Sequence, residues 1–168
     1  MRIISTLAIA VLMALLLGWQ HMHGGVPAHH FLAREDLPAI SNGWGLLTLP
    51  ALAWFLLGRI DRRRRNEAAR ARTAAAGFGG ALLYGGLLAL FFVSGRPELS
   101  DYMAQGVFLL ALFYPVYRAE CVLGFVAGMT VCLGAILPMI AACVFAATGF
   151  VLYRVPRLAW ARMSASRR

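Results

Sequence analysis

The chain alternates long apolar runs with short polar segments, a pattern typical of a protein that crosses a membrane several times. The first three runs cover residues 3–19, 44–60 and 76–94. Each of them approaches the ~20 apolar residues that a helix needs to cross the hydrocarbon core of a bilayer. We therefore predict three transmembrane helices in this part of the chain, with Ser41 or Asn42 as the N-cap of the second.

The first apolar run could alternatively be a secretory signal peptide. The sequence VPA at residues 26–28 fits the small-residue rule for a cleavage site, but glycines and histidines separate it from the apolar run. Because a cleavage site normally follows its apolar core closely, we expect residues 1–28 to remain in the chain as a helix followed by a loop.

The second half of the chain allows more than one arrangement of helices. Residues 104–117 form an apolar run that is short for a crossing, and Arg118 and Glu120 follow it. A longer apolar stretch then covers residues 121–153 and is interrupted at Gly134 and Pro138. The pattern is compatible with six short helices, with five helices that place Arg118 and Glu120 inside the membrane, or with four helices and a re-entrant segment at 104–117.

The composition supports the membrane interpretation, because 61% of the residues are hydrophobic and only 14% are charged. Soluble domains are nearer ~45–50% apolar and ~25% charged, and a water-soluble core of this length could not bury the excess. The 16 basic residues are all arginine, and most of them fall within residues 59–72 and 154–168.

The two arginine blocks predict the topology, because basic segments beside transmembrane helices lie in the cytoplasm. The blocks at 59–72 and 154–168 then share one side, which requires an even number of crossings between them. This favours six helices: an all-α, polytopic protein of the inner (plasma) membrane with both termini in the cytoplasm. Residues 20–43 become an outer loop, residues 61–75 a cytoplasmic loop and residues 154–168 a cytoplasmic tail of a single transmembrane domain.

The net charge of +9 follows from these arginines and does not indicate nucleic-acid binding. Neither a recognisable nucleic-acid module nor interleaved aromatic residues accompany them. We expect the lipid bilayer and its anionic headgroups to be their partners. Gly124 and Gly128 form a GxxxG pair, which is typical of helix packing and would also suit other membrane subunits or a homo-oligomer.

The cysteines predict neither a disulfide framework nor a zinc motif, because their number is odd and their spacing matches no such site. Cys121, Cys132 and Cys143 recur every 11 residues. If residues 121–153 formed one long helix, the thiols would share one face of it.

The segment HMHGGVPAHHFLARED, residues 21–36, contains all 4 histidines of the chain. Imidazole and carboxylate groups together suit a transition metal such as Zn, Cu or Fe. The predicted ligands are His21, His23, His29, His30 and Glu35, and Asp36 is a further ligand or a general base. We expect Gly24, Gly25 and Pro27 to reverse the chain and bring the two histidine pairs together. Alternatively, the histidines are interfacial residues at the end of the first helix.

Three classes of function are compatible with these features. In the first, the outward-facing histidine and carboxylate cluster serves a membrane metalloenzyme or a metal-handling or assembly factor. In the second, the protein is a metal-free permease or channel that uses Arg118 and Glu120, which are expensive to place at membrane depth and therefore functional candidates there. In the third, it is a structural subunit of a membrane complex. The candidate catalytic residues are Glu120, Arg118 and Asp36.

Overall fold

The computed structural model describes residues 2–23, 25, 28–30, 39–64 and 68–165. Within these ranges the chain folds almost entirely into helices, which confirms the all-α prediction. The six α-helices are α1 (Arg2–Met22), α2 (Gly45–Arg64), α3 (Ala68–Val93), α4 (Pro97–Phe113), α5 (Ala119–Leu133) and α6 (Ile136–Ala165). Between α1 and α2, two three-residue strands, β1 (Ala28–His30) and β2 (Ala39–Ser41), pair antiparallel.

Four of these helices are long and apolar enough to cross a membrane within the described residues. The four candidate spans are Arg2–Met22, Asn42–Arg62, Ala71–Val93 and Ile136–Ser164. The other two helices are shorter, since α4 has 17 residues and α5 has 15. At 1.5 Å per residue they extend over ~25 and ~22 Å, which is less than the ~30 Å of a hydrocarbon core.

The start of α2 follows its local sequence. Ser41 is the N-cap of a short 3-10 turn, Asn42–Trp44, and its hydroxyl accepts a hydrogen bond from the backbone N–H of Gly43 at 3.2 Å. The helix then continues through Pro50. The prediction of Ser41 as an N-cap is therefore confirmed.

Contacts between α1 and α2 show that the two helices are antiparallel. The Arg2 guanidinium donates a hydrogen bond to the carbonyl oxygen of Trp54 at 2.8 Å and lies over its ring. Toward the other end, Met13 packs against Gly45. The start of α1 therefore lies beside the end of α2.

Helices α3 and α5 run parallel and pack with almost no side chain between them. A Cβ at Gly124 would clash with the backbone of Phe78, and a Cβ at Gly128 would clash with the backbone of Leu82. In the other direction, a Cβ at Gly85 would lie 2.5 Å from the carbonyl oxygen of Phe125. The prediction that the Gly124–Gly128 pair packs helices is therefore confirmed.

Helices α4 and α6 also run parallel. The rings of Phe108 and Phe145 meet edge to face at 5.5 Å, and further along both helices the Arg157 guanidinium binds the carbonyl oxygen of Leu112 at 3.2 Å. Together with the other pairs, these contacts make successive helices alternate in direction. One end of the bundle holds the starts of α1, α3 and α5 and the ends of α2, α4 and α6.

The centre of the bundle is α5, which contacts α2, α3 and α6. Most of its residues are buried, and they form two clusters with neighbouring helices. The buried residues of α5 are Glu120, Cys121, Leu123, Gly124, Phe125, Val126, Met129, Thr130 and Leu133. Because this helix is enclosed by protein, its short length exposes little of its backbone to lipid.

Helical structure extends into segments that were predicted as loops or tail. Helix α4 begins at Pro97, a residue that suits the first turn of a helix. The arginine-rich segment predicted as a loop at 61–75 is largely helical, since α2 extends to Arg64 and α3 begins at Ala68. The segment predicted as a tail is helical as far as Ala165.

The apolar stretch after residue 120 is divided at Gly134, as one of the predicted arrangements required. Gly134 has a φ of 71°, in the left-handed region that glycine adopts without strain. A Cβ there would clash with the side-chain amide of Asn42, which is itself buried and donates a hydrogen bond to Gln20 at 3.2 Å. The cysteines therefore occupy two helices: Cys121 is buried, whereas Cys132 and Cys143 are exposed.

Candidate functional site

A cavity of about 680 Å³ lies between α3, α4, α5 and α6. Its size is within the ~300–1,000 Å³ that is usual for small-molecule sites. Most of its lining is apolar. The lining residues are Arg72, Thr73, Ala76, Gly77, Gly80, Ala81, Tyr84, Val107, Leu110, Tyr114, Val116, Cys121, Val122, Phe125, Ala142, Phe145 and Ala146.

Small residues on one face of α3 create the space. Ala76, Gly77, Gly80 and Ala81 present little or no side chain to the cavity. At Gly80 no atom lies within 4 Å of the position that a Cβ would take. The same helix that packs closely on α5 therefore leaves room where it faces α4 and α6.

The cavity is bordered by exposed residues of α3 and α4. Near the turn that joins them, Tyr84 donates a short hydrogen bond to the carbonyl oxygen of Met103. Further from the turn, three lining residues of the cavity are exposed: Ala76 and Gly80 on α3, and Leu110 on α4.

The polar residues of the cavity are concentrated at one end, which we call the mouth and define by Arg72, Thr73 and Tyr114. Burial raises the pKa of the Tyr114 hydroxyl, and the neighbouring Cys121 and Glu120 act in the same direction, whereas the Arg118 guanidinium opposes them. The hydroxyl also forms a hydrogen bond with the Cys121 thiol. Tyr114 therefore stays neutral at physiological pH and acts there as a hydrogen-bonding group.

The predicted functional pair Arg118 and Glu120 lies just behind this mouth. Glu120 is in the first turn of α5 and only 2% of its side-chain surface is exposed. Its Cγ is 3.3 Å from the position that a Cβ on Gly77 would take. Arg118 is the residue before α5, and its guanidinium lies 5.8 Å from the ring of Tyr114. Both residues flank the mouth, although neither lines the cavity itself.

The linker between α4 and α5 forms one wall of the mouth and is held against α6. The Arg157 guanidinium donates hydrogen bonds to the carbonyl oxygens of Leu112 and Tyr153, and it stacks on the Tyr153 ring at 3.6 Å. From the linker, Tyr117 packs edge to face on Phe150 at 5.3 Å. Arg157 thus binds the carbonyl oxygen of Leu112 at the end of α4.

The histidine segment lies at the opposite end of the bundle from the mouth. His21 and His23 are exposed at the end of α1, and His23 stacks on Trp19 with 4.6 Å between ring centroids. The Nδ1–H of His23 donates a hydrogen bond to the carbonyl oxygen of Trp19 at 2.9 Å. This tautomer leaves Nε2 as the nitrogen that could bind a metal.

The structure does not test the predicted metal site as a whole. The backbone of His29 pairs with that of Ile40, and His30 pairs with Ala39, in the two short strands. The side chains of these two histidines lie outside the described part of the structure. Glu35 and Asp36 lie outside the described residues. Within the part of the chain that the structure describes, no group of three or more His, Cys, Asp or Glu side chains could hold a metal ion.

Two further carboxylates lie in the first two turns of α4, at the same end of the bundle as His21 and His23. Glu98 and Asp101 are both exposed there. The structure does not bring His21 or His23 together with either of them in a metal-binding group.

Sequence reasoning missed the cavity and most of its lining. The available signal was the run of small residues at 74–81, which was interpreted only as helix packing. Arg72 was assigned to a solvated arginine block, and Tyr114 received no role.

Comparison with known proteins does not add to this picture. No protein-family model, no curated protein and no solved structure matches the chain.

Proposed function

We propose that this protein binds the apolar chain of a membrane lipid in the cavity between α3, α4, α5 and α6. The observation that carries the proposal is the apolar lining of a cavity whose exposed lining residues on α3 and α4 would let a chain enter from the side. The walls include Val122, Phe125 and Phe145, which offer dispersion contacts and no charge. A polar solute would lose its hydration in such a cavity without compensation, which favours a lipid over the polar solute of a permease.

The size of the cavity suits one long hydrocarbon chain. Liquid water occupies about 30 Å³ per molecule, so a cavity of about 680 Å³ has room for some twenty groups of that size. A single acyl or isoprenyl chain is of this order, and a second chain would have to remain in the bilayer. The head group would then lie at the mouth, beside Arg72 and Tyr114.

The proposed membrane arrangement has six crossings, with α5 as a short one enclosed by other helices and α4 as a short one that packs on α3 and α6 and leaves one face exposed. The parallel and antiparallel contacts support it, since the described parts of both arginine blocks, Arg59–Arg72 and Arg154–Arg162, lie at the same end of the bundle as the mouth. By the positive-inside rule this end faces the cytoplasm. The protein then resides in the inner (plasma) membrane with both termini in the cytoplasm and draws its ligand from the cytoplasmic leaflet.

A matched pair of glycine variants tests the proposal. Gly80 lines the cavity and the adjacent Gly79 does not, yet both have open space around the position of a Cβ. We expect the wild-type protein to retain one oleoyl lysophosphatidylcholine in native mass spectrometry from detergent. Gly80→Leu should lose most of this binding and Gly79→Leu should keep it. If the wild-type protein retains no lipid, or both variants bind equally, the proposal is wrong.

A transition-metal site in the histidine segment is a second proposal. It is supported by His23, because metal-binding histidines commonly donate their other ring N–H to a backbone carbonyl. Glu35 and Asp36 also come between β1 and β2 in the sequence. With a metal bound, Asp36 would be the candidate general base, and the histidines with Glu35 the ligands.

Elemental analysis of the purified protein tests this second proposal. We expect about one Zn, Cu or Fe per chain in the wild-type protein, and much less in His29→Ala/His30→Ala. Lipid retention should be the same in both, because the mouth and the histidines lie at opposite ends of the bundle. Equal metal content in both proteins would contradict the metal site.

A further inference from the structure

We infer that the lipid bound in the cavity carries an anionic head group, which Arg72 recognises at the mouth. This inference rests on the lipid-chain binding proposed above and adds the class of lipid. Arg72 is exposed at the start of the candidate span 71–93 and lines the cavity. Among the lining residues in the described part of the chain, Arg72 is the one with a charged side chain.

The position of Arg72 matches the depth at which a head group would lie. A chain that enters between α3 and α4 extends toward Phe125 and Phe145, so its polar end remains at the mouth. A guanidinium presents several N–H donors in a planar fork that fits a phosphate or a carboxylate. Thr73 and Tyr114 supply further hydrogen-bonding groups at the same end.

The other charges near the mouth favour the same choice. The Arg118 guanidinium is close to the Tyr114 ring and adds positive potential. The nearby carboxylate of Glu120 is buried against Gly77 and does not line the cavity. A zwitterionic head group would place its positively charged ammonium near these arginines, which would repel it. An anionic head group carries only negative charge, which the arginines attract.

The occupant that fits both the volume and the charge is a single-chain anionic phospholipid, such as a lysophosphatidylglycerol. One chain fills the cavity, and one phosphate meets Arg72. A free phosphate would lack the apolar contacts, and a neutral lipid would lack the ion pair.

Competition between two lysolipids with the same oleoyl chain tests the inference. We expect the wild-type protein to bind lysophosphatidylglycerol about tenfold more tightly than lysophosphatidylcholine in native mass spectrometry, because the arginines at the mouth would repel the choline ammonium of the latter. Arg72→Gln should weaken binding of lysophosphatidylglycerol more than binding of lysophosphatidylcholine and so remove this preference. Arg62→Gln, an exposed arginine of the same basic block outside the cavity, should keep it.

The outcomes separate the two proposals. Binding of neither lysolipid would show that the cavity does not hold a lipid chain, and the proposed function would fail. Equal binding of both lysolipids by the wild-type protein would overturn the anionic head group and leave chain binding intact. An equal loss of preference in Arg72→Gln and Arg62→Gln would attribute the effect to general surface charge, which also overturns the inference. Inorganic phosphate that displaced the lysolipid would show anion binding without a lipid and would overturn it as well.

Discussion

Single atoms decide how α3 meets α5. At Gly124 and Gly128 the missing Cβ lets the backbones of the two helices touch, and the carbonyl oxygens of Phe78 and Leu82 occupy the space that a side chain would need. Such contacts gain dispersion energy without loss of side-chain entropy. In a membrane, where apolar surface alone does not drive helices together, this close approach is a main source of association.

A methyl group at this interface should therefore destabilise the protein. In Gly128→Ala the Cβ would lie 2.9 Å from the backbone nitrogen of Gly86, and neither backbone can move away cheaply. We expect a loss of about 1–3 kcal/mol, as is typical of an overpacked core, measured as a lower midpoint of thermal unfolding in detergent. Gly79→Ala, with open space around its Cβ, is the control and should be neutral or slightly stabilising.

Glu120 is the buried carboxylate beside the mouth, and its burial predicts that it tolerates substitution poorly. We expect Glu120→Gln to reduce lipid retention or thermal stability more than Glu67→Gln, which changes a residue of the arginine-rich segment. A buried charge is balanced by specific neighbours, so its removal unbalances them. Equal tolerance at the two positions would show that Glu120 has no special role.

At the scale of elements, the linker at 114–118 connects two helices and also forms a wall of the cavity. Arg157 on α6 restrains it through the Leu112 carbonyl, and Tyr117 rests on the aromatic rings of the same helix. Movement of this linker would change the mouth without disturbing the α3–α5 interface. The cavity is therefore bounded on one side by the closely packed α3–α5 interface. On the other side it is bounded by the linker, which Arg157 and Tyr117 hold against α6.

Removal of the Arg157 side chain should loosen this linker. We expect the backbone amides of Val116 and Arg118, which are hydrogen-bonded within the linker, to exchange with deuterium up to about tenfold faster in Arg157→Ala, consistent with the loss of hydrogen bonds of ordinary strength. Arg162→Ala changes an exposed arginine further along α6 and should leave exchange unaltered. Identical exchange in both variants would show that the arginine does not restrain the linker.

At the scale of the whole molecule, the alternating helix directions separate two kinds of surface. The described parts of the arginine blocks, the mouth and the linker lie at one end, and the histidines of α1, the turn at Gly134 and the start of α4 lie at the other. A lipid-binding mouth and a metal site at the histidines would therefore act on opposite sides of the membrane.

Cysteine accessibility tests this arrangement. In a chain with Cys132 and Cys143 replaced by alanine, we expect Arg62→Cys and Ser164→Cys to react with a membrane-impermeant maleimide only after the cells are permeabilised. Glu98→Cys, at the opposite end, should react in intact cells. Labelling of either of the first two positions from outside would contradict a shared cytoplasmic side for the arginine blocks.

The sequence by itself determined the class of the protein and much of its helix pattern. Apolar length predicts candidate spans because lipid leaves the backbone no partner except itself. Local chemistry also located the N-cap at Ser41 and the break at Gly134. Boundaries at polar segments were less certain, as at Pro97, because a helix can continue past the apolar core into the interface.

Only the tertiary structure decided where the cavity lies and which residues reach it. Gly85 and Gly80 are the same residue type on the same helix, yet at Gly85 the backbone of Phe125 fills the space and at Gly80 the space is open. The difference arises because Gly85 faces α5, whereas Gly80 faces the cavity that α4 and α6 border. Periodicity reports which face of a helix is apolar, whereas the gap between two apolar faces depends on how all the surrounding helices pack, and no local pattern encodes it.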